Sequence, residues 1–348
     1  MVFFSRFFNS IYIPVPDTTQ QFEEVLKSRL FSSISNQIGM IGYVAEDLRK
    51  ISQGFESQSD TIGHIDEDIE YLSSDGLENP ESADGGSESF TGTINTYYDE
   101  AFYNDDGIMG LLLGDTEFRN IGYWDDQTTN QNSAAENLQD ALLEMIPQKA
   151  GRILDAACGM GASTKRLMNY YAPENIWAIN ISEKQIKSTQ KNAPGCNAKV
   201  MSAVEMGFED DFFDAIECIE AAFHFETRKK FLEESMRILK PGGTLVLSDV
   251  LMTSKHRLEQ HAVFPDPKNH IQTAEEYEEL LRDTGFKNVV VKDVSREVWG
   301  AHFLFVVNRI HEEFYHGRLN IVQLTEILWT YYYLDAITGV CLFASAQK

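Results

Sequence analysis

Arg152–Ser163, RILDAACGMGAS, reads as a buried strand running into a glycine turn and then a helix. Ile153 and Leu154 supply the apolar strand, and Asp155 sits where it ends. Gly159 and Gly161 let the backbone turn tightly and approach a ligand without a Cβ in the way. The GxG of a nucleotide-binding turn is present, but Ser163 and Thr164 stand where a dinucleotide fold would place a third glycine or alanine. Taken alone, the stretch is a nucleotide-type ligand site or simply a tight turn.

The segments that follow favour the first. IWAINI (176–181), KVMSA (199–203), FDAIECIE (213–220) and TLVLSDV (244–250) are short apolar runs. Between them the spacing predicts helices over Lys165–Tyr171, Glu183–Asn192 and Thr227–Leu239. Strands alternating with helices imply an α/β fold whose parallel sheet is covered on both faces. Its ligand crevice lies beyond the carboxyl ends of the strands.

LDAACGMGAS, then NISEKQI, then ECIEAAFHF, then RILKPGGTLVLSDV resembles, in that order, the class I S-adenosylmethionine-dependent methyltransferases. The match is nearest to the small-molecule branch that methylates polyketides and other natural products, and it spans roughly residues 97 to 348. The resemblance implies a Rossmann-like, seven-stranded, mostly parallel sheet with helical lids, and S-adenosylmethionine as cofactor. The family's first-strand acid corresponds to Asp155, and the backbone of Ala157, Cys158, Gly159 and Gly161 would pass beside the methionine part of the cofactor. The family usually ends its second strand with an acid that holds both ribose hydroxyls; here that position is Asn180, flanked by Ile181 and Gln185. An amide lacks the charge-assisted grip of a carboxylate, so binding is expected with adjusted affinity. Ser202, Ala203, Val204 or Glu205 would read the adenine.

Composition narrows the partners. The 348 residues carry 29 Lys and Arg against 54 Asp and Glu, a net charge of −25. Such a field repels phosphate backbones and argues against nucleic acid as substrate. The charge is concentrated: between Lys50 and Arg119 there are 17 acids and no Lys or Arg. Cys158, Cys196, Cys218 and Cys341 show no CxxC pairing, which suggests a reducing, cytoplasmic compartment. No segment is long and apolar enough to span a membrane, so no membrane partner is expected.

SSDGLENPESADGGSES (73–89) is Ser, Gly, Pro and acid, and reads as part of a flexible linker over 73–95. It separates an amino-terminal helical region, 1–72, from the methyltransferase-like domain, 96–348. Apolar residues from Phe22 to Ile51 recur at helical spacing. That helix either packs on the domain or serves self-association or partner docking. Two aromatic-rich stretches, near 97–130 and 300–335, are expected as lids, the second lining the substrate pocket of a bulky, largely apolar small molecule. In the resembling enzymes the first lid closes over the cofactor; its GYW holds Tyr123, whose hydroxyl would meet the methionyl carboxylate.

Methyl transfer requires alignment of two molecules and a free lone pair on the acceptor. An alcohol or phenol needs a base, whereas a neutral amine does not. His224, four residues after Glu220 at the end of the fourth strand, is placed to be that base. An unperturbed imidazole, with a pKa of about 6.5, suits the task near neutral pH. Glu220 would orient the cofactor or the imidazole. No HExxH occurs, and His256 and His261 are five apart, too far round a helix to share a metal. Asp249, Asp266 and His270 are the remaining candidate ligands, and a metal-free site is expected. The sequence thus indicates a natural-product O-methyltransferase. The alternatives are amine or carbon methylation, or a cofactor-binding scaffold without catalysis.

Overall fold

The computed structural model describes residues 90–103, 108–114, 116–253 and 269–348. The amino-terminal helix, most of the linker, His256, His261 and Asp266 lie outside the described residues. In chain order the elements are α1 (Phe90–Tyr103), α2 (Ile108–Leu113), α3 (Gln131–Glu144), β1 (Ile153–Ala156), α4 (Ala162–Leu167), β2 (Ile176–Asn180), α5 (Glu183–Asn192), β3 (Asn197–Val200), β4 (Phe213–Ile219), α6 (Arg228–Ile238), β5 (Leu239–Met252), α7 (Ala274–Asp283), β6 (Lys287–Asp293), α8 (Ala301–Tyr315), α9 (Ile321–Ile337) and β7 (Thr338–Gln347). Helix α1 begins at Phe90, inside the stretch expected to be linker.

The seven strands form one sheet in the order β3-β2-β1-β4-β5-β7-β6. The strands from β3 to β5 pair in parallel, and β7 runs antiparallel between β5 and β6. The connection explains the reversal. Helices α8 and α9 form a hairpin that returns the chain to the sheet edge it left, so β7 re-enters from the carboxyl end, Thr338 beside Met252. The sequence reading missed β6 and α7. KNVVVKD carries an apolar run of only three residues, Val289–Val291, because it is an edge strand in which Val289 alone is buried.

Strand β1 shows how the two faces are made. Leu154 and Ala156 point into one core with Ile216, Leu245, Leu247, Phe231 and Leu232. Ile153 points into the other with Leu138, Leu142, Leu143 and Leu167. Fully burying each of these Leu, Ile and Phe side chains stabilises the fold by about 1.5–3 kcal/mol. The helices that cover these faces start where their sequence allows: Asn130, Ser182, Thr227 and Thr273 each cap the first turn of α3, α5, α6 and α7 through the side-chain oxygen. Among the described residues no helix is long and apolar enough to cross a membrane.

Candidate active site

Strand order reverses between β1 and β4, so the crossovers from these neighbours leave in opposite directions and a crevice opens beyond their carboxyl ends. A cavity of about 410 Å³ lies there. Its floor is the β1 turn (Asp155, Ala157–Met160), its sides are the ends of β2 and β4, and α1 with residues 117–121 closes over it.

The two glycines of the opening turn do different things. Gly159, at φ +54°, has no atom within 4 Å of where a Cβ would stand, and its bare backbone lines the cavity. Gly161, at φ +89°, is pressed on α5, where a Cβ would lie 2.6 Å from the Cα of Thr189. Gly161 therefore packs the turn against α5 and does not line the cavity. Cys158 donates its backbone N–H to Ile179 at 3.1 Å, tying the turn to β2. Its thiol is buried, and burial pushes its pKa upward.

Asp155 accepts from the hydroxyls of Thr164 (2.6 Å) and Ser163 (2.8 Å), the residues that replace the third glycine of a dinucleotide turn. Burial pushes its carboxyl up to about 6 against the pull of both hydroxyls. Its register partner on β4 is Glu217, wholly buried, which accepts from Gln139 at 2.9 Å and is raised well above the carboxylate range by burial and by Asp155. At the end of β2, Asn180 donates from Nδ2 to Gln185 and accepts from the Ser182 N–H, both at 3.0 Å. Asn180, Ile181, Gln185, Ala203 and Val204 all line the cavity, whereas Glu205 is exposed and lies outside its lining.

Opposite this wall, β4 ends at Glu220, a non-glycine residue held at φ +46°. Its Oε2 accepts the Ile121 N–H at 2.8 Å, while its Oε1 is buried without a hydrogen-bond partner. Burial pushes this carboxyl up to about 8, with Asp249 adding and the Ile121 bond opposing. The 3-10 turn Ala222–His224 then carries His224 to the cavity wall. There its Nε2 meets the Tyr98 hydroxyl of α1, and its ring packs on Phe223 with centroids 3.9 Å apart. Burial, Tyr97 and Glu220 all push the Tyr98 phenol upward, so it stays protonated.

Two expectations about the lids are corrected. Tyr123 does not line the cavity: its ring packs on Phe343 of β7 at 5.6 Å. The cause is Gly122, whose missing Cβ lets the chain press onto Ala134 of α3 and turns Tyr123 and Trp124 inward. Residues 300–335 reach the cavity only through Leu334, with Trp299 just before them, because their aromatics pair with one another, Phe303 on Tyr332 and His302 by Tyr331. The residues that do cover the cavity include Asn95, Tyr98, Glu117, Arg119 and Asn120, none of which was singled out from sequence. The run YYDEAFY held the signal, since Tyr98 and Phe102 share a helix face.

Among the described residues no group of three or more His, Cys, Asp or Glu is placed to hold a metal ion. Asp249 instead forms a buried ion pair with Arg228 at 2.6 Å.

Residues 154–247 match the family model described as a methyltransferase domain. The 27-O-demethylrifamycin SV methyltransferase of Amycolatopsis mediterranei is 32% identical over 190 residues, 50% of this chain and 68% of that protein. The chain belongs to the class I S-adenosylmethionine-dependent methyltransferases. This methyltransferase is also 28% identical over 195 residues to the O-methyltransferase resE of Aspergillus sclerotiorum, covering 52% of this chain and 73% of that one. In fold it is similar to a Haemonchus contortus phosphoethanolamine N-methyltransferase solved with phosphomonomethylethanolamine and S-adenosylhomocysteine. That structure has a TM-score of 0.56 and 19% identity, over 73% of this chain and 60% of that chain.

The residues present fit S-adenosylmethionine. Besides Glu220 Oε1, the side-chain oxygens of Asn95 and Asn120 are buried without partners in residues that line the cavity. Three acceptors of this kind suit an ammonium donor, and the bare Gly159 backbone leaves room beside the turn. When bound, the cofactor supplies a methyl group on a sulfonium. Asp155, Ala157–Gly159, Asn180, Ile181, Gln185, Ala203 and Val204 would hold it.

Proposed function

We propose that this methyltransferase transfers its methyl group to a hydroxyl of a bulky, largely apolar natural-product-type molecule, with His224 as general base. One observation carries this: the His224 Nε2 is bonded to a phenolic hydroxyl, that of Tyr98, at the cavity wall. An imidazole that holds one hydroxyl there is positioned to take a proton from another. Tyr97, Phe102, Phe118, Met201, Met252 and Trp299 make the lining apolar, which supports a hydrophobic acceptor. His224 would accept the proton that the acceptor hydroxyl gives up, and S-adenosylmethionine, when bound, would supply the methyl group. Glu220 holds Ile121 through Oε2, and its unpartnered Oε1 would accept from the cofactor's amino group.

A second reading, amine methylation, is favoured by Glu117 and Glu226 in the same lining, where Arg119 is the balancing cation. Methyl-labelled S-adenosylmethionine offered with alcohols, phenols and amines separates the two. Label in hydroxyl products that disappears with His224→Ala supports the first. Label in amines, unaffected by that substitution, replaces it with the second. The four cysteines are free thiols, which supports a reducing, cytoplasmic setting. The apolar stripe from Phe22 to Ile51 remains our candidate for self-association or docking.

A further inference from the structure

Asn180 stands where a single carboxylate would accept both hydroxyls of a vicinal diol. As an amide it has less to offer, because its Oδ1 already accepts the Ser182 N–H and its Nδ2 donates to Gln185 Oε1, each at 3.0 Å. The Gln185 amide continues outward, donating from Nε2 to Asp99 Oδ1 at 3.3 Å. The same Asp99 oxygen accepts the Ser182 hydroxyl at 2.5 Å. A carboxylate is therefore present after all, brought from α1 to the amino-terminal end of α5. The positive end of that helix's dipole, at the turn Ser182 caps, favours negative charge there.

Asp99 does not itself line the cavity, so its effect passes through Gln185 and Asn180. A carboxylate only accepts, so it holds the Gln185 nitrogen outward and the Gln185 oxygen toward Asn180. Asn180 is then fixed with one lone pair and one N–H left for ligand hydroxyls. Helix α1 carries Tyr98 next to Asp99, and Tyr98 contacts His224 on the opposite wall. We propose that Asp99 is a positioning residue for the cofactor's ribose, supplying from α1 the carboxylate that β2 lacks. Seating of α1 and donor binding are thereby linked. This rests on the reading that the ribose lies at Asn180.

The test is the dissociation constant for S-adenosylhomocysteine, by calorimetry, in the full chain. Asp99→Asn is expected to weaken binding about tenfold, the size of one charge-assisted link, and to raise the KM for S-adenosylmethionine while kcat holds within about threefold. Adding Asn180→Asp to Asp99→Asn restores the affinity to within about threefold of the parent. Alone, Asn180→Asp gives no tightening, because two carboxylates then face each other across Gln185. A merely structural contact of α1 would not be rescued from β2. Asn180→Ala separates the premises: if it weakens binding and Asp99→Asn changes it less than twofold, the role of Asp99 is overturned. If Asn180→Ala itself changes nothing, the ribose placement is wrong. Should Asp99→Asn not fold, Asp99→Ser removes the same charge without touching the cavity lining. It must then reproduce the tenfold loss, or the proposal fails.

Discussion

Tyr98 and His224, 126 positions apart in the chain, are bonded hydroxyl to imidazole across the mouth of the cavity. The contact joins α1 to the turn after β4, and in the function we propose it positions His224 as the base. His224→Ala should lower kcat by about 10²–10⁴, the usual contribution of a positioned base, with S-adenosylmethionine affinity unchanged. Tyr98→Phe removes one hydrogen bond, about 1 kcal/mol, and should cost about fivefold in turnover. Turnover of His224→Ala within about threefold of the parent, on a hydroxyl acceptor, would refute the assignment.

Glu220 gives a pH signature. Burial holds its carboxyl up to about 8 in the folded protein, against an ordinary value of 4.5. Between those values the folded state keeps a proton that the unfolded chain has released. Stability from this group is therefore full below about 4.5 and is lost as pH rises toward about 8. Urea titrations of Glu220→Gln across that window should show a flatter dependence than the parent. Identical slopes would mean that Glu220 ionises normally.

The two glycines of the opening turn should respond oppositely. Gly161→Ala puts a Cβ against the Thr189 backbone at a left-handed φ, and is expected to destabilise by about 3 kcal/mol. Gly159→Ala meets no protein atom and should cost only about 1 kcal/mol in stability. Its methyl enters the cavity, so cofactor affinity should fall at least tenfold. Denaturant unfolding and calorimetry on the pair, if they gave equal losses in both properties, would contradict this division.

Asp249 is committed to Arg228, which also donates to the Val250 carbonyl at 3.0 Å and the Asn269 carbonyl at 2.9 Å. Asp249→Ala strands a buried guanidinium and should destabilise by about 3–5 kcal/mol. With that carboxylate engaged, dialysis against a chelator should leave turnover within about twofold. Activity lost to chelator and restored by magnesium would show that a metal takes part.

The class of the protein was legible in RILDAACGMGAS and the three motifs after it, because a buried strand, a glycine turn and the helix that follows are local structures. Local spacing fixes each of them, and their order fixes the sheet and its ligand edge. Boundaries moved by a few residues, and β6 was missed because an edge strand needs little apolar surface. GYW could not be placed from sequence. Its tyrosine packs, partly buried, against the core where Gly122 closes on α3, a contact between segments that the chain's own periodicity does not encode.

His224 and Glu220 follow from position, one strand end and the turn after it. Their partners do not. Tyr98 for His224, Ile121 for Glu220 and Asp99 for Gln185 come from a helix and loop 86 to 126 residues away along the chain. Hydrogen bonds of that range depend on how α1 seats across the sheet's carboxyl edge. The sequence by itself determined the sheet, the glycine turn and the strand end that carries Glu220 and His224. Only the tertiary structure decided what closes the site, because that depends on surfaces brought together after the local elements have formed.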